Sequence, residues 1–419
     1  MPHPDLPHGP LHGLRVLDMS RILAGPTAGQ LLGDLGADVL KIERPGAGDD
    51  TRGWGPPFVT DAEGRETRES AYYLCANRNK RSLAIDISKK EGADAVRRLA
   101  ARADVLIENY KLGDLARRGL GPDDLAALNP RLIYCSITGF GQTGPYAARA
   151  GYDFLAQGYG GIMSVTGEPE AEGGRPMKVG VGIADVMCGM YATVAILAAL
   201  RARETTGRGQ RIDMSLLDSQ IAWLINQGTA HLCDGRVPGR LGNAHPTIVP
   251  YDTFPASDGW FIIAAGNDGQ FRRLCETGGR AALADDPRFL TNADRVRNRD
   301  ALTPLLHEVT RAQSKAWWID ALERVGVPCG PVNDIAEAFA DPQVVHRGGT
   351  VRMAHPAAGS GAVDLIANPI KLSETEITYR HAPPCLGQHT AEALREAGFS
   401  EAEIAALAQA GAIAGDALG

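Results

Sequence analysis

The tetrapeptide ADVL occurs twice, at 37–40 and 103–106, and a glutamate follows each copy closely, Glu43 and Glu108. A helix-like segment precedes each copy. GPTAGQLLGDLGA, with Pro26 near its start and Gly36 near its end, leads into the first, and KKEGADAVRRLAAR leads into the second. Short apolar runs (LRVLDMS, DVLKIER, ADVLIENY and RLIYCSITGFG) read as strands between such helices. Repeated βα units predict an α/β fold with a mostly parallel, doubly wound, Rossmann-like sheet. Ligands of such a sheet sit at the carboxyl ends of its strands. No solenoid period is present.

After Arg201 the character changes. GQRIDMSLLDSQIAWLINQGTAHL reads as strand then helix, and CDGRVPGRLGNAHP is a Gly/Pro-rich connection. VPYDTFPASDGWFIIAAG is hairpin-like around Ser257–Gly259, and amphipathic helices follow near 268–277 and 313–325. This predicts a second, smaller α+β domain. Two helices, HTAEALREAGF and SEAEIAALAQAG, finish the chain.

The 419 residues carry a formal net charge of −7 with no dense Lys/Arg block, which argues against nucleic acid as a partner. Seven scattered cysteines without a C-x-x-C fit reduced thiols in a cytosol, and no HExxH or Cys/His cluster suggests a metal. The opening MPHPDLPHGPLHG lacks the apolar and basic regions of a secretory signal, so a cytoplasmic location is expected.

Between Lys178 and Arg201 only Asp185 is charged, in KVGVGIADVMCGMYATVAILAAL. The length is borderline for a membrane span, but the aspartate and glycines favour a buried core helix. An Asp at a helix start is an N-cap in the ordinary case. The functional alternative is a carboxylate nucleophile kept ionised by the helix's free N–H donors, with Gly180 and Gly182 admitting a substrate. Position alone leaves both open.

NRNKRS, residues 77–82, reads as a solvated charged loop or as part of a phosphate site with Arg44, Arg52, Arg117 and Arg118. The glycine loops GFGQTGP (139–145) and GYGG (158–161) are ordinary turns or oxyanion donors. His245 is a loop or core residue, or a substrate contact. Trp317 and Trp318 read as packing. The chain has no G-x-G-x-x-G after its first strand, no G-x-x-x-x-G-K-[ST] and no G-x-S-x-G, which weakens nicotinamide, ATP and esterase readings.

Taken in order, LAGPTAGQLLGDLGADVLKIERPGAGDDTRGWG, NRNKRSLAID, ADVLIENY, YCSITGFGQTGPYAARAGYD, VGIADVMCGMYATVAILAAL, TGRGQRIDMSLLDS, GVPCGPVNDIAEAFADPQV and LGQHTAEAL resemble the class III CoA-transferases from about Leu11 to Leu394. ERPGAGDDTRGWGPPF and NAHPTIVPYDTF look most like the branch that uses succinyl-CoA and dicarboxylates such as glutarate. The resemblance implies that Asp185 is the nucleophile and that Leu23, Ala24, Arg44, Asn109, Tyr110, Lys111, Arg117, Ala150, Gly151, Tyr152 and Asp153 bind coenzyme A. It implies CoA thioesters as substrates and no permanently bound cofactor. Some members carry glutamine where Leu23 stands and lysine where Ala150 stands. The glycine-run loop of formyl-transferring members is missing. Family members form an interlocked ring-shaped homodimer. The domains would then be 1–214, large and CoA-binding; 215–240, linker; 241–340, small; and 341–419, linker and return to the large domain.

A distal substrate carboxylate would need a cation, for which Arg78, Lys80, Arg149 and Arg175 are candidates. The nearest alternative activity is a 2-methylacyl-CoA racemase, which needs a histidine where Tyr152 stands. A dehydrogenase and a non-catalytic CoA-binding protein are the more distant readings. No membrane partner is expected.

Overall fold

The computed structural model describes residues 8–415, so the first seven residues of the stretch read for a leader lie outside it. Two compact units make up the chain. One comprises Met1–Ile162, Val179–Thr229 and Val345–Gly419, and the other Met163–Lys178 and Ala230–Val344. The segment Met163–Lys178, which the sequence reading put in the large domain, belongs to the second unit.

The first unit is built on a seven-stranded sheet. Its order is Ile413–Ala414, Lys80–Ile85, Asp38–Glu43, Arg15–Asp18, Val105–Glu108, Ile133–Thr138, Arg211–Ser215. All neighbours pair in parallel except the C-terminal strand, which is antiparallel to Lys80–Ile85. Numbered along the chain, the six parallel strands follow the doubly wound order 3-2-1-4-5-6. The winding reverses between Arg15–Asp18 and Val105–Glu108, where such sheets hold ligands. Two apolar layers cover the sheet. One includes Leu17, Leu40, Leu83 and Leu106, and the other Val16, Val39, Val105 and Ile133. Adjacent residues of each strand thus face opposite layers, as strand geometry requires.

The two ADVL copies fold alike. Val39–Leu40 and Val105–Leu106 lie in strands flanking Arg15–Asp18, and Glu43 and Glu108 end those strands as buried carboxylates. The reading of residues 77–82 as a loop is corrected. Lys80 begins a strand, and Arg78, Lys80 and Arg81 are buried with carboxylate partners Asp34, Asp18 and Asp38. Arg52 is likewise held between Glu43 and Glu69.

The apolar run forms helix Ile183–Thr206, the one helix among the described residues long and apolar enough to cross a membrane by length and composition. Its inner face, with Cys188, Ala192 and Ile196, joins the layer under helix Ala24–Asp34. Gly189 allows that approach, since a Cβ there would stand 2.5 Å from the Ala24 carbonyl oxygen. The other face exposes Met190, Tyr191 and Val194, so the helix is half-buried rather than buried all round.

In the second unit, Tyr251–Ala256 and Gly259–Ala264 form the expected hairpin, and Cys329–Pro331 adds a third strand. Helices Asp268–Thr277 and Lys315–Arg324 occupy the expected positions. Trp318 is core, stacked at 6.1 Å on Phe261, and its Nε1 donates to the Thr310 carbonyl at 2.7 Å. Trp317 is partly exposed.

Candidate active site

Several segments that surround the site begin where parallel strands end. Residues 21–24 lie just past Arg15–Asp18, residues 109–112 follow Val105–Glu108, and Gly139 follows Ile133–Thr138. With residues 147–152, Leu216 and Asp185 they line a cavity of about 250 Å³. A second cavity of about 380 Å³, bounded by Arg44, Asp86, Ser88 and Arg118, shares Arg21 and Tyr110 with the first. Together they offer an elongated binding surface along the carboxyl edge of the sheet.

Asp185 occupies the third position of its helix, after the N-cap Gly182, and no side chain of that helix's own start caps it. The capping acceptor comes from elsewhere. Asp153 Oδ1 accepts the N–H of Ala184 at 2.8 Å and that of Asp185 at 3.4 Å. Gln157 Nε2 donates to Asp153 Oδ2 at 2.7 Å, and Gln157 Oε1 accepts the Val179 N–H at 2.9 Å. Capping therefore falls to Asp153, and the reading of Asp185 as a cap is corrected. The electrostatic expectation changes too. Burial first, then the charge of Asp153, pushes the Asp185 carboxyl up to about 7, so helix donors do not hold it ionised.

Among the described residues lining the first cavity, Asp185 is the one carboxylate, and Arg21, Lys111 and Arg149 are the cations. Arg149 lies over the Tyr146 ring at 3.9 Å, with Nη1 at 3.4 Å from the Tyr159 hydroxyl. Gly139 and Gly151 meet backbone to backbone on this wall, and a Cβ on Gly139 would stand 2.3 Å from the Gly151 Cα. The glycine of GFGQTGP thus serves close approach, beyond turn chemistry.

The structure brings together Asp185, Leu23, Ala24, Asn109, Tyr110, Lys111, Arg149, Ala150, Gly151 and Tyr152 on the first cavity, and Arg44 on the second. Other expected residues fall elsewhere. Arg117 lines neither cavity. It pairs with Asp114, and its neighbour Arg118 lines the second cavity instead. Arg78 cannot meet a substrate carboxylate. It is 4% exposed, with Nε and Nη2 on the two Asp34 oxygens at 3.0 and 2.7 Å and Nη1 on the Ile366 carbonyl at 2.7 Å. Lys80 is equally excluded, with Nζ at 2.8 Å from Asp18 Oδ2. His245 and Arg175 belong to the second unit, where His245 Nδ1 accepts the Thr247 N–H at 3.2 Å.

The sequence reading missed Arg21 and Ile22, although both stand beside Leu23 at a strand's carboxyl end. The rings of Trp54 and Tyr72 meet edge to face at 5.2 Å. Burial and then the charge of Asp185 push the Tyr72 phenol up to about 12.

The family model for CoA-transferase family III matches residues 11–390. The chain belongs to that family. This enzyme is therefore a class III CoA-transferase. It is 51% identical over 387 residues to a succinate–glutarate CoA-transferase of Agrobacterium fabrum, an alignment covering 92% of this chain and 95% of the relative. It is 42% identical over 405 residues to the succinyl-CoA:glutarate CoA-transferase of Homo sapiens, covering 96% and 90%. A crystal structure of a CAIB/BAIF family protein from Brucella suis superposes with a TM-score of 0.82 at 50% identity, covering 93% of this CoA-transferase and all of that chain. The substrates of a CoA-transferase are CoA thioesters and carboxylic acids.

Proposed function

We propose that this CoA-transferase moves CoA from succinyl-CoA to a short dicarboxylic acid of the glutarate class, with Asp185 as the nucleophile. The observation that carries the reading is the lone Asp185 carboxylate on a cavity that also presents Arg21, Lys111 and Arg149. The glutarate relatives support the choice of acids.

In the proposed reaction the ionised Asp185 carboxylate attacks the acyl carbonyl of the donor thioester. The C–S bond breaks, giving an aspartyl–acyl anhydride and CoA thiolate. The thiolate attacks the aspartyl carbonyl and releases the donor acid as carboxylate, leaving CoA on Asp185 as a thioester. The acceptor carboxylate attacks that thioester, expelling the thiolate and forming a second anhydride. The thiolate then takes the acceptor's acyl group and returns Asp185 as carboxylate. Two thioesters are exchanged, so neither ATP nor a metal enters the balance. The segments of the first cavity hold the thioester end of CoA, and Arg44 and Arg118 face its phosphates. Arg149 is the proposed partner of a dicarboxylate's distal charge.

We further propose a homodimer in a reducing cytoplasm. Helices Asp153–Tyr159, Ile183–Thr206 and Leu216–Ala222 pack on one another and expose Phe154, Tyr191, Val194 and Ile221, an apolar face suited to a second copy. The functional test supplies succinyl-CoA with glutarate, itaconate, citramalate, formate or carnitine and follows the new thioester by mass spectrometry. Diacid-CoA products formed by wild type and lost in Asp185→Asn support the reading. Deuterium exchange at C2 of a 2-methylacyl-CoA without transfer would replace it with the racemase.

A further inference from the structure

The turn Arg21–Leu23 carries an unusual backbone. Ile22 sits at φ 72°, a left-handed conformation that costs a β-branched residue about 1–3 kcal/mol. Such strain persists only where surrounding groups over-determine it, and here they do. Lys41 Nζ donates to the Ser20 carbonyl at 3.0 Å. Asn109 brackets the next residue, accepting the Arg21 N–H at 2.9 Å and donating to the Arg21 carbonyl at 2.7 Å. The Ile22 N–H points between the two Asp49 oxygens, at 3.2 and 3.3 Å.

Asp49 itself is fixed. It is 1% exposed and receives Lys41 Nζ at 2.9 Å and the Thr51 N–H and hydroxyl at 3.0 and 2.8 Å. Burial alone would raise its carboxyl, but the Lys41 ammonium and the Thr51 donors bring it down to about 2, so it stays an anionic acceptor. Lys41 spans both parts of the clamp, since it bonds the turn directly through Ser20 and indirectly through Asp49. What the clamp holds is Arg21, Ile22, Leu23 and Ala24, which form one wall of the cavity that Asp185 lines.

We infer that Asp49 is a positioning residue for CoA transfer, locking the Ile22 backbone in its left-handed conformation so that the 21–24 wall stays in place against Asp185. The inference rests on Asp185 as the transfer nucleophile. Relaxation of Ile22 to negative φ would rotate the Ile22–Leu23 peptide and carry the first turn of helix Ala24–Asp34 with it. A displacement of about 1 Å at such a wall costs on the order of 10²-fold in rate.

The test compares wild type, Asp49→Asn, the double variant Asp49→Asn/Ile22→Gly, and Ile22→Pro, by succinyl-CoA to glutarate transfer and by thermal unfolding. Asp49→Asn should lower kcat by about 10²-fold. Adding Ile22→Gly should recover at least about tenfold of that, because glycine adopts positive φ without a clamp. Ile22→Pro removes the N–H and forbids positive φ while leaving the buried Lys41–Asp49 pair intact. It should fold and lose transfer by a similar factor, which keeps the inference testable even if Asp49→Asn does not fold. The inference is overturned if activity merely tracks the folded fraction, if the glycine restores nothing, or if Ile22→Pro keeps more than about half of the wild-type kcat. Absence of transfer in wild type would overturn the functional reading and this inference with it.

Discussion

Asp185 sits where a carboxylate is costly to keep charged. Its folded pKa is raised from 3.8 to about 7, so it destabilises the fold progressively as pH rises through that window and fully above it. Asp185→Asn should therefore raise stability at pH 8, on the order of 4 kcal/mol, and leave it nearly unchanged at pH 3. Thermal unfolding at the two pH values reads this directly. The same shift gives the sign for catalysis, since only the ionised carboxylate attacks and kcat/KM should rise with pH through about 7. Asp153→Asn keeps an acceptor for the Ala184 N–H but removes a charge, so the acid limb of that profile should move to lower pH. An unmoved limb would mean that Asp153 acts only as a cap. The sequence places Asp185 at a helix start and leaves two roles open. The role turns on Asp153, 32 positions away in the chain, whose capping bonds no local pattern reveals.

Elements were legible to the degree that their periodicity was local. The strands around both ADVL copies, the helix with Pro26 near its start and the Ser257–Gly259 hairpin all follow from short-range pattern. Strand Lys80–Ile85 did not, because its cations are buried by carboxylates from other elements, Asp18, Asp34 and Asp38. A buried charge reads as a surface charge until its partner is known. The long helix shows the opposite failure. Its run is apolar on every side, yet one face packs under helix Ala24–Asp34 and the other remains exposed. Gly189→Val should cost more than about 2 kcal/mol, because its Cβ would meet backbone rather than a yielding side chain. Transfer activity should fall with it, as Ala24 belongs to the cavity wall. Denaturant unfolding and a transfer assay on the same sample check both.

For the whole molecule, the doubly wound parallel sheet was legible, because βα alternation restricts the topology, and the candidate site lies at the carboxyl edge where such sheets hold ligands. The division of the chain was less so. Met163–Lys178 joins the second unit through contacts that sequence adjacency hides. The exposed apolar face of the first unit predicts a homodimer. Val194, 63% exposed, is a suitable probe, and Val194→Asp should weaken association or yield soluble aggregate rather than a stable monomer. Sedimentation of wild type as a monomer at micromolar concentration would contradict the dimer.

The most direct test of the whole account is the covalent state of Asp185 during turnover. Wild-type protein and Asp185→Asn would each be mixed with succinyl-CoA and glutarate, quenched in acid, digested and analysed by mass spectrometry for both peptide and product. The account predicts a CoA thioester on the peptide containing Asp185, glutaryl-CoA in solution, and neither in the variant. Glutaryl-CoA formed by Asp185→Asn at the wild-type rate would contradict it.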